Sequence, residues 1–324
     1  MSELELRMRE AARQLLADGQ VDVIIGYAPG TLPLRTSPCF VREPEAVDQL
    51  VWNTSCENTL ATYLQNIEGK AGIVAKGCDA RAIATKIVEH QVERENVVII
   101  GVPCQGVIDR QRIQAQLGGR EILEAEVTNG QLQLRGADFQ QTLDLQEALS
   151  EDCVVCRHKN PTLVDILVTD EGGQAAEGAE STHREQGRRP TVEEFEGWSA
   201  DERWAYFSQE FERCIRCYAC REACPVCYCT ECFVDQSQPD WFGKSDELSD
   251  VMAFHLVRLY HVAGRCLDCG ACDRACPMHI DLRTLGRKLE KDVRELYEYE
   301  PGMDLESAPL LGTFRTDDPQ AFIK

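Results

Sequence analysis

Cysteines are the residues with the clearest chemical capacity in this chain, which contains seventeen of them among 324 residues. Eight cysteines form two runs with one shared spacing, C-x2-C-x2-C-x3-C followed by proline, at residues 214–225 and 266–277. A tight loop with this spacing presents three thiolates to three corners of an iron–sulfur cubane, and the fourth cysteine opens the next segment. The chemistry that these residues offer is one-electron transfer on 4Fe–4S clusters.

The same spacing is typical of bacterial dicluster ferredoxins, in which the fourth cysteine of each run binds the other cluster. Crossed ligation assigns two ligand sets: Cys214, Cys217, Cys220 and Cys276 for cluster 1, and Cys266, Cys269, Cys272 and Cys224 for cluster 2. Zinc is an alternative, although zinc ribbons use two separated C-x2-C pairs. A radical enzyme is another, because Cys220, Cys224 and Cys227 match its cluster spacing, but too little chain follows them for a barrel.

Three more cysteines follow the first run, at Cys227, Cys229 and Cys232. Their density predicts part of a further cluster, completed by a ligand from elsewhere in the chain or from a partner. The alternative is packing, because a free cysteine behaves as a small apolar residue. His255, Arg258 and His261 lie on the predicted helix before the second run, where hydrogen bonds to sulfur raise a cluster's potential. Solvation or bonds to the backbone are the alternative for these three.

The N-terminal half holds a second group of cysteines. Cys78 and Cys104 follow predicted strands, in loops where N–H groups and a helix dipole favour thiolate. Cys153 and Cys156 form a C-x2-C pair further along the chain. These four predict a third 4Fe–4S cluster at the strand ends, with Cys56 as an alternative ligand. Scattered structural thiols are the other interpretation.

The elements that must position these residues follow from the hydrophobic pattern. Apolar strands at residues 21–26, 71–75 and 97–100 alternate with helical segments, which is typical of a parallel sheet whose working loops leave the strand C-termini. Asn129-Gly130 predicts a hairpin. Long helices are expected at residues 1–17, 199–212, 245–263 and 282–297. The fold class is therefore an α/β N-terminal domain with a parallel sheet, plus a C-terminal α-rich dicluster ferredoxin domain.

Composition sets the domain boundaries. Residues 170–200 are rich in Gly, Glu, Ser and Arg, and we interpret them as a linker. The predicted divisions are 1–169 for the α/β domain, 170–200 for the linker, 201–300 for the ferredoxin domain and 301–324 for an irregular tail.

Charge and targeting signals restrict the partners and the cellular compartment that we expect for this protein. The chain has 55 acidic and 34 basic residues, for a formal charge of −21. This balance argues against nucleic acid and anionic membranes, and favours docking on basic protein surfaces. The sequence shows neither an export signal nor a run of about 18 apolar residues. We expect a cytoplasmic protein without direct membrane insertion, in which clustered cysteines bind metal instead of forming disulfides.

Two segments of the N-terminal half carry a resemblance to a known family. Gly101-Val102-Pro103-Cys104-Gln105 resembles the G-x-P-C-Q loop of the β-subunit family of deazaflavin-reducing hydrogenases and dehydrogenases. Cys153 to Cys156, followed by Asp165-Ile166, is similar to that family's C-x2-C…D-I segment. The resemblance covers roughly residues 20–170 and implies FAD, 4Fe–4S clusters and electron relay between a catalytic subunit and a deazaflavin. The ferredoxin half, with Arg258 and residues 261–266, also resembles iron–sulfur subunits of heterodisulfide-reductase-type complexes.

The chain departs from this family where the segment between Cys104 and Cys153 is short, and the missing material is expected to include part of the flavin pocket or the deazaflavin site. If FAD binds, Lys76, Gly77 and Arg81 are expected to meet its pyrophosphate at a helix N-terminus. The alternative for these three is a tight turn with a surface cation.

The function that these features predict is an iron–sulfur electron-transfer subunit of a multi-subunit redox complex, with no catalytic residues of its own. The resemblance implies a hydrogenase, a formate dehydrogenase or a heterodisulfide-reductase-like flavoprotein as the partner. The alternative is a flavin-containing oxidoreductase that reduces a deazaflavin or a similar hydride carrier.

Overall fold

The computed structural model describes residues 2–169, 189–240 and 242–310. Its strands form two sheets, one of five strands in the order β2-β1-β3-β4-β8 and one of three in the order β5-β6-β7. The strands are β1 (Val23–Pro29), β2 (Thr36–Val41), β3 (Ala71–Ala75), β4 (Val97–Gly101), β5 (Glu124–Thr128), β6 (Gln131–Arg135), β7 (Gln140–Asp144) and β8 (Ile166–Leu167). The helices are α1 (Glu3–Ala17), α2 (Gly77–Val88), α3 (Arg110–Gln116), α4 (Leu145–Ala148), α5 (Glu151–Val154), α6 (Val192–Gly197), α7 (Ala200–Phe211), α8 (Ala219–Glu222), α9 (Leu248–His261), α10 (Ala271–Arg274) and α11 (Arg283–Tyr297).

The larger sheet confirms the predicted α/β class. Strands β1, β3, β4 and β8 run parallel. All five residues of β3 are buried, which explains its continuous apolar sequence. Helices α1 and α2 both pack on the sheet. The sequence did not predict β2, which pairs antiparallel with β1 at the edge. Pro38 lies within β2, a position that an edge strand tolerates because one side of it needs no ladder bond.

The smaller sheet contains the predicted hairpin. Strands β5 and β6 pair antiparallel around Asn129 and Gly130. Both turn residues have positive φ, 52° and 74°, as a two-residue turn of the primed type requires. Strand β7 extends the sheet and was not predicted. This sheet occupies the segment between Cys104 and Cys153.

The C-terminal half is helical around an aromatic core. Phe207 and Phe211 of α7 and Phe254 of α9 are buried there. Phe195 of α6 joins them, although residues 189–200 were predicted as linker. Helix α6 begins with a reciprocal capping box between Thr191 and Glu194, which explains why so short a helix forms. Residues 170–188 of the predicted linker and 311–324 of the predicted tail lie outside the described residues.

The two halves meet along α2. Arg81 of α2 is 4% exposed and donates to the carbonyl oxygen of Pro301 at 3.1 and 2.9 Å, and to that of Leu267 at 3.3 Å. Arg265, just before the second cysteine run, forms an ion pair with Glu89 at 2.7 Å. The second run is therefore held against the N-terminal domain. None of the helices in the described ranges has the length and apolar character that a membrane span needs.

Replacing Arg81 with Met should weaken this junction, because two carbonyl oxygens lose a charged donor in a buried setting. We expect a loss of about 3 kcal/mol in the free energy of unfolding, measured by anaerobic denaturant titration. Arg135→Met is the matched control, since its ion pair with Glu124 is exposed and contributes less than about 1 kcal/mol. Equal effects of the two substitutions would contradict the structural role of Arg81.

Candidate iron–sulfur centres

The two cysteine runs adopt the same backbone. Arg216 and Asp268, each two residues after the first cysteine of its run, have φ of 50° and 51°. Tyr218 and Gly270, two residues further on, have φ of 59° and 68° and precede the short helices α8 and α10. Left-handed conformations are costly outside glycine and persist where the surroundings require them. The repeated spacing in the sequence therefore corresponds to a repeated loop.

Cys276 lies among the cysteines of the first run. Burial raises the pKa of Cys214, and the charges of Cys276 and Cys217 raise it further. The pKa of Cys220 rises to about 12 for the same reasons: burial first, then neighbouring thiolates that include Cys276. These effects indicate that Cys276 lies close to Cys214 and Cys220 of the first run, which is compatible with the crossed assignment for cluster 1, and that assignment stays a prediction.

Cys224 lies close to the cysteines of the second run, as Cys276 lies close to those of the first. The pKa of Cys269 rises to about 12 because of burial and then the charge of Cys224. Cys224 also raises the pKa of Cys272. The sets are neighbours, since Cys272 in turn raises the pKa of Cys220.

Hydrogen-bond donors reach a sulfur in each set. The Nε2 atom of His255 lies 3.3 Å from Sγ of Cys214, and Nη1 of Arg283 lies 3.4 Å from Sγ of Cys266. Burial, and then the charges of two arginines, lower the pKa of His255 to about 3, so its imidazole is neutral and can donate through one nitrogen. His261 instead packs edge-on against Phe233.

The four N-terminal cysteines also converge. The amide of Cys104 donates to the carbonyl oxygen of Lys159 at 3.0 Å, which draws the segment after Cys156 onto the end of β4. Burial raises the pKa of Cys104 to about 12, and the charges of Cys153 and Cys156 contribute. The pKa of Cys78 is raised by burial and, among other charges, by those of Cys269 and Cys104. This N-terminal group thus adjoins the second ligand set.

The alternative ligand Cys56 has other partners. Its thiol donates to the carbonyl oxygen of Val51 at 3.8 Å and accepts the amide of Asn53 at 3.5 Å. Cys56 is 1% exposed, and burial raises its pKa to about 11. The geometry favours the other four cysteines as one group.

Cys227, Cys229 and Cys232 have separate surroundings. Cys227 packs against the N-terminal core together with Cys224. Cys232 packs against the aromatic core of the other half, and Cys229 is exposed. The three thiols do not share one environment, and a further cluster on them stays a prediction.

Lys76, Gly77 and Arg81 all make internal contacts. Lys76 is 3% exposed, forms an ion pair with Asp79 at 3.1 Å and donates to the carbonyl oxygens of Cys56 and Asn58 at 3.0 and 2.7 Å. A Cβ atom on Gly77 would lie 2.0 Å from the carbonyl oxygen of His158, so this glycine permits a close backbone approach. Neither cation is on the surface. The role of these residues in flavin binding stays a prediction.

A large cleft opens between the two halves. Its volume is about 1110 Å³, and the lining includes Cys156 and Cys266, one from the N-terminal group and one from the second set. Its walls carry cations, among them Arg112 and Arg157, and as many carboxylates, among them Asp268, Glu290 and Glu300. The sequence did not predict this cleft, because residues far apart in the chain form it.

The donor sets fit 4Fe–4S clusters. In the part of the chain that the structure describes, no three His, Cys, Asp or Glu side chains are close enough to share a single ion. A cubane makes a different demand, since each of its four thiolates binds a separate iron. Two sets of four converging cysteines, each with a donor aimed at sulfur, match that demand. Because burial keeps the free thiols protonated, cluster binding must displace protons.

The sequence did not predict the contact between Arg283 and Cys266. The arginine side chain reaches back from the start of α11 to this cysteine, and the only sequence signal is a cation soon after the second run.

Fold and donor sets together define the class: an iron–sulfur electron-transfer protein that combines an α/β domain with a dicluster ferredoxin domain. Comparison with known families agrees. Residues 210–280 match the 4Fe-4S dicluster domain, and residues 69–200 match the family described as the C terminus of the coenzyme F420 hydrogenase/dehydrogenase beta subunit. The chain thus resembles that β-subunit family over residues 69–200 and has a dicluster 4Fe–4S domain over residues 210–280, and the predicted resemblance is confirmed.

Two curated relatives match nearly the whole chain. The F420-dependent formate dehydrogenase subunit beta of Methanocaldococcus jannaschii is 23% identical, over 94% of this chain and 93% of the relative. The F420-dependent formate dehydrogenase 1 subunit beta of Methanococcus maripaludis is 24% identical, over 93% and 91%. Among solved structures, the F420-reducing NiFe hydrogenase complex from Methanosarcina barkeri aligns with a TM-score of 0.36 and 17% identity, over 46% of this chain and 59% of the other.

Replacing Cys276 with Ser should damage the cluster bound by Cys217, because the two cysteines face one space. EPR spectra of the reduced protein provide the measurement. We expect Cys276→Ser to give the same altered spectrum as Cys217→Ser, and Cys224→Ser to match Cys269→Ser.

Cys39→Ser is the control, since Cys39 lies on β2 and should leave both signals unchanged. A match between Cys276→Ser and Cys269→Ser would refute crossed ligation.

Proposed function

We propose that this chain is the electron-relay subunit of a multi-subunit redox complex and that it binds three 4Fe–4S clusters in a line. The observation that supports the proposal is that the three cysteine groups adjoin one another in succession. The N-terminal group (Cys78, Cys104, Cys153 and Cys156) adjoins the second set through Cys269, and the second set adjoins the first through Cys272. A bound 4Fe–4S cluster supplies one-electron transfer to a neighbouring centre.

The two ends of this line differ in their surroundings. At one end, Cys156 faces the cleft between the halves. At the other, Cys217 is exposed and follows Ile215, an apolar side chain that is 59% exposed. We infer that a partner enzyme docks at the Cys217 end and that a hydride carrier or flavin binds at the cleft. The formal charge of −21 favours a partner with a basic surface.

The names of the two curated relatives suggest the particular complex. Both are β subunits of F420-dependent formate dehydrogenases. We propose that this chain serves a formate dehydrogenase in the same way, with the deazaflavin F420 as the other redox partner. A hydrogenase or a heterodisulfide-reductase-like flavoprotein is the alternative partner. A reducing compartment such as the cytoplasm suits a chain whose cysteines must stay available as thiolates.

FAD is the part of the proposal that would make this subunit an oxidoreductase in its own right. The cleft is large enough for a dinucleotide, and it has one ligand candidate from each adjoining cluster site in its wall. The Nε atom of Arg112 is buried without a hydrogen-bond partner among the described residues, which suits an anion-binding role. We therefore favour this cleft over the region of Lys76, Gly77 and Arg81, whose polar groups already have internal partners.

Iron analysis tests the relay. Protein purified without oxygen should contain about twelve iron atoms per chain, since each of three cubanes needs four. About eight iron atoms per chain would refute the N-terminal cluster. About sixteen would indicate a further cluster at Cys227, Cys229 and Cys232. Formate should reduce the iron–sulfur chromophore only in the presence of the co-purifying catalytic subunit. Colourless protein, or protein filled with zinc, would refute the function.

Flavin content separates the relay from the oxidoreductase. Cofactor released by acid from the intact complex should include about one FAD per chain, identified by chromatography because clusters obscure the flavin absorption. Arg112→Leu should lower that content at unchanged iron, since it removes a cation with an unpartnered Nε atom from the cleft. Arg135→Leu is the control, because the Arg135 side chain is exposed at the end of β6. If the wild-type complex contains no FAD, the oxidoreductase function is refuted and the electron relay remains as the function of this chain.

A further inference from the structure

Arg258 is a buried cation at the centre of the C-terminal half. It lies on α9, the helix that connects the two cysteine runs, and is 4% exposed. Its Nη2 atom donates to the carbonyl oxygen of Cys220 at 2.9 Å, and its Nε atom has no hydrogen-bond partner among the described residues. Across the described ranges, no carboxylate forms an ion pair with it. Burying a charge in this way is costly unless an opposite charge lies nearby.

Other arginines near the clusters have either carboxylate partners or a second acceptor, since Arg216 and Arg274 each donate to two carbonyl oxygens. Arg283 contacts Asp268 and Glu290, and Arg221 forms ion pairs with Glu222 and Asp235. Acidic residues are also abundant, because the chain has 55 of them. The lack of a carboxylate at Arg258 within the described ranges therefore indicates that another anion supplies the balancing charge.

Cysteines of both ligand sets supply the negative charge that balances Arg258. Burial lowers the pKa of Arg258, whereas Cys224, Cys272, Cys227 and Cys220 raise it above its ordinary value when they are ionised, as cluster ligands are. Cys220 belongs to the set of cluster 1, whereas Cys224 and Cys272 belong to that of cluster 2. The guanidinium thus contacts the set of cluster 1 through the carbonyl oxygen of Cys220 and is close enough to Cys224 and Cys272 to interact with the charge of the set of cluster 2.

We propose that Arg258 is a shared positioning residue that balances the negative charge of both clusters and so raises the reduction potential of both. This inference rests on the proposed relay function. Reduction adds one negative charge to a cluster, and a buried cation nearby favours the reduced form because little solvent screens the attraction. His255 contacts Cys214, and Arg283 contacts Cys266, so each of these donors touches one set. Arg258 acts on the pair and shifts both potentials in the same direction.

Redox titration followed by EPR tests the proposal. Arg258→Gln keeps a donor for the carbonyl oxygen of Cys220 but removes the charge. We expect it to lower both potentials by at least about 59 mV, which is a tenfold change in each one-electron equilibrium. Arg258→Lys keeps the charge and should stay close to wild type at both clusters.

Two controls separate charge from position. Arg203→Gln removes a cation from the same half, where it donates to the carbonyl oxygens of Phe195 and Glu196, and should leave both potentials unchanged. Arg283→Gln should shift mainly the cluster bound by Cys266. If Arg258→Gln fails to retain iron, Arg258→Lys decides: wild-type potentials support the proposal, and lowered potentials refute it.

Two outcomes of Arg258→Gln would overturn the inference while leaving the relay in place: unchanged potentials at full iron content, or a shift confined to one cluster. Failure of the relay would look different, because wild-type protein would then lack iron.

Discussion

Burial of sulfur close to sulfur is the constraint on which this structure depends. Burial raises the pKa of the ligand thiols, and neighbouring cysteines raise it further, so these groups resist ionisation in the absence of iron. Holding them as thiolates requires iron together with donors and cations of the protein. The structure supplies these close to the sulfur atoms: neutral His255 at Cys214, Arg283 at Cys266 and Arg258 close to both sets. A chain with a formal charge of −21 thus places several of its cations at the cysteines.

The same use of buried cations explains how the two halves are joined. Buried arginines donate to backbone carbonyl oxygens across the junction, as Arg81 does to Leu267 and Pro301, and Arg274 to Glu57. Two of these arginines fix a peptide close to a cysteine, since Leu267 follows Cys266 and Arg274 also contacts the carbonyl oxygen of Cys269. Because electron transfer between centres depends on their separation, a junction made of charged donors and fixed carbonyls suits a relay better than a loose linker would.

Much of this arrangement could be predicted from local sequence. Strand β3 and the hairpin at Asn129 follow from patterns within a few residues, and the spacing of the runs is enough to identify the cysteine loops. Strand β2 could not be predicted, because Pro38 argues against a strand until its place at the edge is known. Lys76 resembles an anion-binding residue at a helix start, but the carbonyl oxygens of Cys56 and Asn58 fold over it. The contacts of Arg283 and Arg258 are tertiary and leave no periodic signal.

The two cysteine loops show how one local structure can serve two purposes. Their backbones repeat, with left-handed residues at the same positions, yet their environments differ. Tyr218 occupies the left-handed position before α8, whereas the equivalent residue before α10 is Gly270. A Cβ atom on Gly270 would lie 2.2 Å from a carboxylate oxygen of Asp152, next to Cys153 of the N-terminal group. The second loop therefore needs glycine because the other domain packs directly on it, whereas the first loop carries a tyrosine there and keeps Cys217 exposed. This difference gives a symmetric pair of loops an inner and an outer member, as an electron path with two distinct ends requires.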